Sequence, residues 1–146
     1  MSDNPATTPE AKMTVSQALG EIVWLMTQSP IHKNLFLADL EWLVMPAMLA
    51  GQFRIFRSGE QPVGLALWAF LDAETEARFG PAGGRLKPEE WARGDSCWLV
   101  ELIAPYGGTE AMLEDLARGS LMGKEVKMHR AGPGGTLVVS KLGDTQ

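Results

Sequence analysis

The chain has 146 residues, one domain's length on the usual prior of ~100 to 200 residues per domain. Its 45% hydrophobic and 21% charged residues exclude a disordered or fibrous polypeptide, and a net charge of −5 argues against a general nucleic-acid binder, which would carry the opposite sign. Cys97 is the only cysteine, which excludes an intrachain disulfide and a multi-cysteine zinc site and suits a reducing cytoplasm; no metal is expected.

The opening MSDNPATTPEAK is polar, carries two prolines and lacks the apolar stretch of a secretory signal, so residues 1–13 read as a flexible tail ahead of a single domain over 14–140. From Val15 to Gln28 apolar residues recur at three- and four-residue steps behind Thr14 or Ser16 as caps, which predicts an amphipathic helix. Pro30 must end it near Ser29, making Ser29-Pro30-Ile31-His32-Lys33-Asn34 a corner. A second helical pattern runs from Phe36 to Ala50, kinked or broken at Pro46 and stopped by Gly51.

The period then changes. Phe53–Arg57 alternates, Ser58–Pro62 is dense in turn residues and Val63–Phe70 is apolar, which predicts an antiparallel hairpin with the second strand more buried. Residues 79–87, FGPAGGRLK, read as a Gly-rich connection, and Pro88–Trp91 as a helical turn started by proline. Cys97–Ala104 reads as a central strand whose single charge is Glu101. Pro105-Tyr106-Gly107-Gly108 ends it, and Thr109 is expected to cap a helix through Arg118. Two short strands close the pattern, Glu125–Arg130 and Thr136–Ser140, joined by Ala131–Gly135, with a frayed tail at 141–146. The order predicts an α+β fold with helices packed on a sheet. No apolar run approaches the ~20 residues of a spanning helix, so no transmembrane segment is expected.

Two side chains stand out chemically. His32 can act as base and acid near neutrality, and a proline-fixed corner holds it beside Ser29 and Asn34; the alternative is an exposed surface histidine. Glu101, an acid inside an apolar strand, must find a donor, raise its pKa or face a cleft, so it either orients an imidazole or is a satisfied core acid. The Tyr106-Gly107-Gly108 turn before Thr109 can present backbone donors to a phosphate, although two glycines after a strand are commonly just a turn. Cys97 and His129 read as structural, and the tryptophans and methionines as core.

Several of these stretches together resemble the RTX toxin-activating lysine acyltransferases, the family of the hemolysin-activating protein. The carriers are Ala18-Leu19-Gly20 with Trp24 ahead of Ser29–Asn34, Pro46-Ala47 before Gln52-Phe53, Pro62-Val63, Trp68-Ala69, Trp91–Asp95, Trp98, and Ile103-Ala104-Pro105-Tyr106-Gly107. The resemblance spans roughly residues 15 to 130. It implies a GNAT-like acyltransferase fold, a mostly antiparallel sheet with packed helices, moving a fatty acyl group from acyl carrier protein onto internal lysines of an RTX protoxin in the cytoplasm. No cofactor is held permanently; the acyl group arrives on the carrier's phosphopantetheine. A homodimer is a family expectation.

The family's histidine maps to His32, with Ser29 and Asn34 as supporting or oxyanion groups, and Ala104, Tyr106, Gly107, Gly108 and Thr109 would hold the phosphopantetheine. The family's acid is an aspartate where this chain has Glu101, which keeps the charge and extends it by a methylene. A second departure is the end of the chain, short of the family's longer C-terminal segment. Lys124, Lys127 and Arg130, joined by Arg54 and Arg57, would form the basic patch that an acidic carrier protein needs; the alternative is a solvated sheet face. Two rival readings are a non-catalytic toxin-binding partner or chaperone on the same scaffold, and an acyl-CoA-dependent N-acyltransferase.

Overall fold

The computed structural model describes residues 13–135 and 137–142. The expected end tails fall outside these residues, as does Thr136, except that Met13 packs on the core and the last strand runs through Lys141. Thr14 starts helix α1 (Val15–Thr27) with a reciprocal cap. Its hydroxyl accepts from the Gln17 amide at 3.1 Å, and the Gln17 side chain accepts from the Thr14 amide at 3.0 Å. Ile22 and Leu25 on its inner face are fully buried, each contributing roughly 1.5–3 kcal/mol, and this fixes α1 and the corner that follows it.

The predicted Phe36–Ala50 helix is broken. A 3-10 turn (Leu37–Asp39) leads into α2 (Leu40–Leu43), and the chain restarts as α3 (Met45–Leu49) after Val44. Pro46 lacks an amide donor and its ring crowds the carbonyl four residues back, so it is tolerated only in the first turn of a new helix.

Strands β1 (Phe53–Ser58) and β2 (Gln61–Leu71) form the expected hairpin around Gly59-Glu60, with Gly59 at φ +64°. β2 is the more buried, its residues 64–69 being wholly inside. Helix α4 (Ala73–Ala82) then takes residues 79–82 out of the expected Gly-rich loop. Asp72 caps it by accepting from the Thr75 amide at 2.8 Å, and Phe79 stacks edge-on against Trp98 at 5.3 Å. Pro81 falls in the last turn, where it forfeits only a terminal bond, so tertiary packing outweighs the local breaker signal.

The central strand is β3 (Ser96–Ile103), followed by α5 (Thr109–Arg118), β4 (Val126–Ala131) and β5 (Leu137–Lys141). Thr109 does not cap α5. Gly107 and Gly108, at φ +88° and +86°, turn the chain through the left-handed region, leaving Gly108 in the cap position with no side-chain acceptor and Thr109 as the first helical residue. The sheet order is β1-β2-β3-β4-β5, antiparallel except for β3 and β4, which run parallel across the α5 crossover. One core lies between the sheet and α1 through α4, and another under α5, where Met112 and Leu116 meet Trp68, Leu99 and Val126. This is the α+β architecture with a mostly antiparallel sheet and packed helices expected of a GNAT-like fold.

Candidate active site

Turn-type backbone bonds build the corner after α1. The amides of His32 and Lys33 both donate to the Ser29 carbonyl, at 3.1 and 2.9 Å, and the Leu35 amide donates to the His32 carbonyl. This winding returns the imidazole onto Ser29, whose side chain is buried. Ser29 Oγ lies 2.7 Å from His32 Nδ1, and His32 Nε2 lies 2.9 Å from Glu101 Oε1. Sixty-nine residues separate the histidine from the glutamate in the chain. The His32 side chain is 12% exposed and that of Glu101 27%, so the carboxylate is the more open of the two.

A β-bulge is what aims Glu101. In the β2/β3 ladder Trp68 faces Leu99 while Leu67 faces Glu101, leaving Val100 as an extra residue on β3. In regular alternation Glu101 would share the face of Leu99, toward α5. The bulge flips it onto the face of Leu67 and Ile103, where α1 and the corner lie.

Proton inventory fixes the ring. An ionised carboxylate only accepts, so His32 Nε2 carries the hydrogen toward Glu101, and in the neutral imidazole Nδ1 is then the acceptor for the Ser29 hydroxyl. The available basic nitrogen is therefore Nδ1, with Ser29 Oγ beside it. Asn34 is exposed on the same corner and makes no hydrogen bond to His32 or Glu101, so of the four catalytic or supporting residues read from sequence the structure brings three together.

The other group, Ala104 to Thr109, lies at the end of β3 and the start of α5. The Gly107 amide donates to the Ala104 carbonyl at 3.1 Å, and the Tyr106 ring stands 6.4 Å from Trp24 of α1. Next to Thr109 the parallel strands part: β3 and β4 pair only from Cys97/Val126 to Leu99/Met128, and beyond them opens a cleft of about 260 Å³ lined by Val100, Leu102, Thr109, Leu113 and Arg130. Neither the bulge nor this cleft is legible in the sequence, because both depend on register.

The predicted basic patch does not form as one surface. Arg54 and Arg57 lie on β1, three places from β4, where Arg54 pairs with Asp115 and Arg57 with Glu21. Lys127 is bound by Glu76 at 2.7 Å, tying α4 to the sheet. The two structural readings hold. Burial pushes the Cys97 thiol up to about 11, with Lys124 acting the other way, and His129 donates from Nε2 to the Gly80 carbonyl at 2.9 Å. Among the described residues no three side chains of metal-ligand type gather, and no helix is long and apolar enough to cross a membrane.

Comparison with known proteins adds an independent line. A model of the RTX toxin acyltransferase family matches residues 11–141. The chain is 31% identical over 99 residues to the leukotoxin-activating lysine-acyltransferase LktC of a Pasteurella haemolytica-like species, covering 68% of this chain and 60% of that protein. It is 33% identical over 98 residues to the RTX-II toxin-activating lysine-acyltransferase ApxIIC of Actinobacillus pleuropneumoniae, covering 67% and 61%. With the protein-lysine myristoyltransferase HlyC of Escherichia coli the identity is 32% over 96 residues, covering 66% and 56%. The matched region thus spans about three-fifths of the length of these relatives.

Proposed function

This chain belongs to the RTX toxin acyltransferase family, and from that premise we propose that it is a protein-lysine acyltransferase moving a fatty acyl group from acyl carrier protein onto internal lysines of an RTX protoxin. The observation that carries the reading is the Ser29–His32–Glu101 array, assembled from a corner and a bulged strand with hydrogen bonds of 2.7 and 2.9 Å.

The chemistry asks for a base. A lysine amine attacks a thioester only when neutral, and a reference pKa of ~10.4 leaves fewer than about one amine in a thousand neutral at pH 7. His32 Nδ1 takes a proton from the Ser29 hydroxyl as that hydroxyl takes one from the amine and the N–C bond forms. Nδ1–H then returns it to the sulfur as the C–S bond breaks, so the imidazole ends as it began. Glu101 is a positioning residue: it holds Nε2–H in place and stabilises the imidazolium while it lasts.

The phosphopantetheine arm enters between β3 and β4, past Ala104, Tyr106, Gly107, Gly108 and Thr109, which brings the thioester to the bulge that bears Glu101. Incubating the purified protein with a candidate RTX protoxin and the same acyl group on acyl carrier protein or on coenzyme A, followed by peptide mass spectrometry, tests this. Lysine acylation from the carrier thioester, at least about tenfold faster than from coenzyme A, is the expected outcome. Preference for coenzyme A would replace the donor, and toxin binding without acylation by either would favour the chaperone reading.

A further inference from the structure

The apolar surface beside His32 is unusual. Ile31 is 83% exposed, Phe36 78% and Leu37 80%, all within five residues of the imidazole. Large apolar side chains gathered in water mark a binding surface more than single ones do. Phe36 and Leu37 face α1 across a groove whose lining includes Val23, Met26, Leu35, Leu40 and His32 itself.

The lining says what fits there. Its remaining polar groups are Thr27, whose hydroxyl already donates to the Trp24 carbonyl at 2.6 Å, and the exposed Lys33. A peptide laid in the groove would find few partners for its amide groups in these mostly apolar walls, whereas an alkyl chain needs none. The groove measures about 70 Å³, smaller than the ~150 Å³ that takes a benzene ring, so it holds only a short stretch of chain. The rest must run out over an open apolar surface, and the exposed sides of the groove's own Phe36 and Leu37 supply one.

We propose that this groove holds the alkyl tail of the donor, with the thioester carbonyl at His32 and the distal methylenes over Phe36 and Leu37. The proposal rests on the acyltransferase reading above. It makes Phe36 and Leu37 determinants of chain length: each methylene they cover contributes about fourfold in affinity. Because both side chains are already in water, shortening them leaves the core intact.

The test has two arms. In the first, wild type and the double variant Phe36→Ser/Leu37→Ser receive hexanoyl, decanoyl and tetradecanoyl thioesters of acyl carrier protein. The ratio of kcat/KM for tetradecanoyl over hexanoyl should fall about tenfold in the variant; an unchanged ratio overturns the proposal. In the second arm a tetradecanoyl thioester with a photoreactive diazirine at its last carbon is irradiated with the His32→Ala protein. Crosslinks within residues 33–43 or 19–27 support the groove, and crosslinks only elsewhere, or none, refute it. Failure of the wild type to transfer any chain would count against the acyltransferase reading, while the crosslink still decides where the tail lies.

Discussion

Replacing His32 by alanine is expected to lower the rate of lysine acylation by ~10²- to 10⁴-fold, the range over which a positioned acid-base group acts. The mutation removes Nδ1, the one basic nitrogen beside Ser29, and nothing nearby replaces it; Asn34 is exposed and unbonded to the site, and His129 is committed to the Gly80 carbonyl. The protein should stay folded but lose about 1–3 kcal/mol, the range for a buried hydroxyl left without its partner. Ser29 loses one partner, and Glu101, with 27% of its side chain exposed, can be hydrated. Initial rates read by protoxin mass shift, beside thermal unfolding of the same samples, separate the two effects. Transfer within about threefold of wild type would remove His32 from the base role.

Glu101→Gln is expected to cost about a hundredfold in kcat with little change in KM, because it keeps the size of the side chain and removes only the charge that steadies the imidazolium. The amide can also present its NH₂ group to Nε2 and favour the wrong tautomer, as happens when the acid of a Ser-His-Asp triad is amidated. Glu101→Asp should recover part of the loss. It restores the charge but withdraws it by a methylene from a 2.9 Å contact, leaving a deficit of roughly tenfold. A residue of merely structural importance would lower stability in both variants and would not divide kcat from KM. Equal rates for wild type and Glu101→Gln would contradict the assignment.

Much of this site was written in local sequence. Pro30 forces the corner that carries His32, the Thr14 cap and the spacing of Ile22 and Leu25 define α1, and the lone acid in Cys97–Ala104 marks Glu101. What stayed hidden depends on register and long-range packing. The bulge at Val100 leaves no trace in residue type, yet it decides which face Glu101 occupies. Helix α4 was masked by Gly80 and Pro81, which punctuate locally and are overruled by Phe79 packing on Trp98 and His129 and by Glu76 reaching Trp98 and Lys127. Charge counting placed Arg54 and Arg57 with the basic residues of β4, but acids on α5 and α1 engage them at the other side of the sheet. The groove beside His32 left a partial signal: the helical pattern over Phe36–Ala50 includes Phe36 and Leu37, which instead stand in water at the 3-10 turn that precedes α2.

The mechanism turns on which nitrogen of His32 is free to accept a proton. Long-range ¹H–¹⁵N correlation spectra of protein labelled at histidine distinguish the two neutral tautomers of the ring, with the His32→Ala protein supplying the assignment against His129. For the neutral ring the array predicts protonation at Nε2 toward Glu101 and a bare Nδ1 beside Ser29, with that preference weakened in Glu101→Gln. A neutral ring protonated at Nδ1 would mean that Glu101 does not hold the imidazole as described and that the base faces the wrong way.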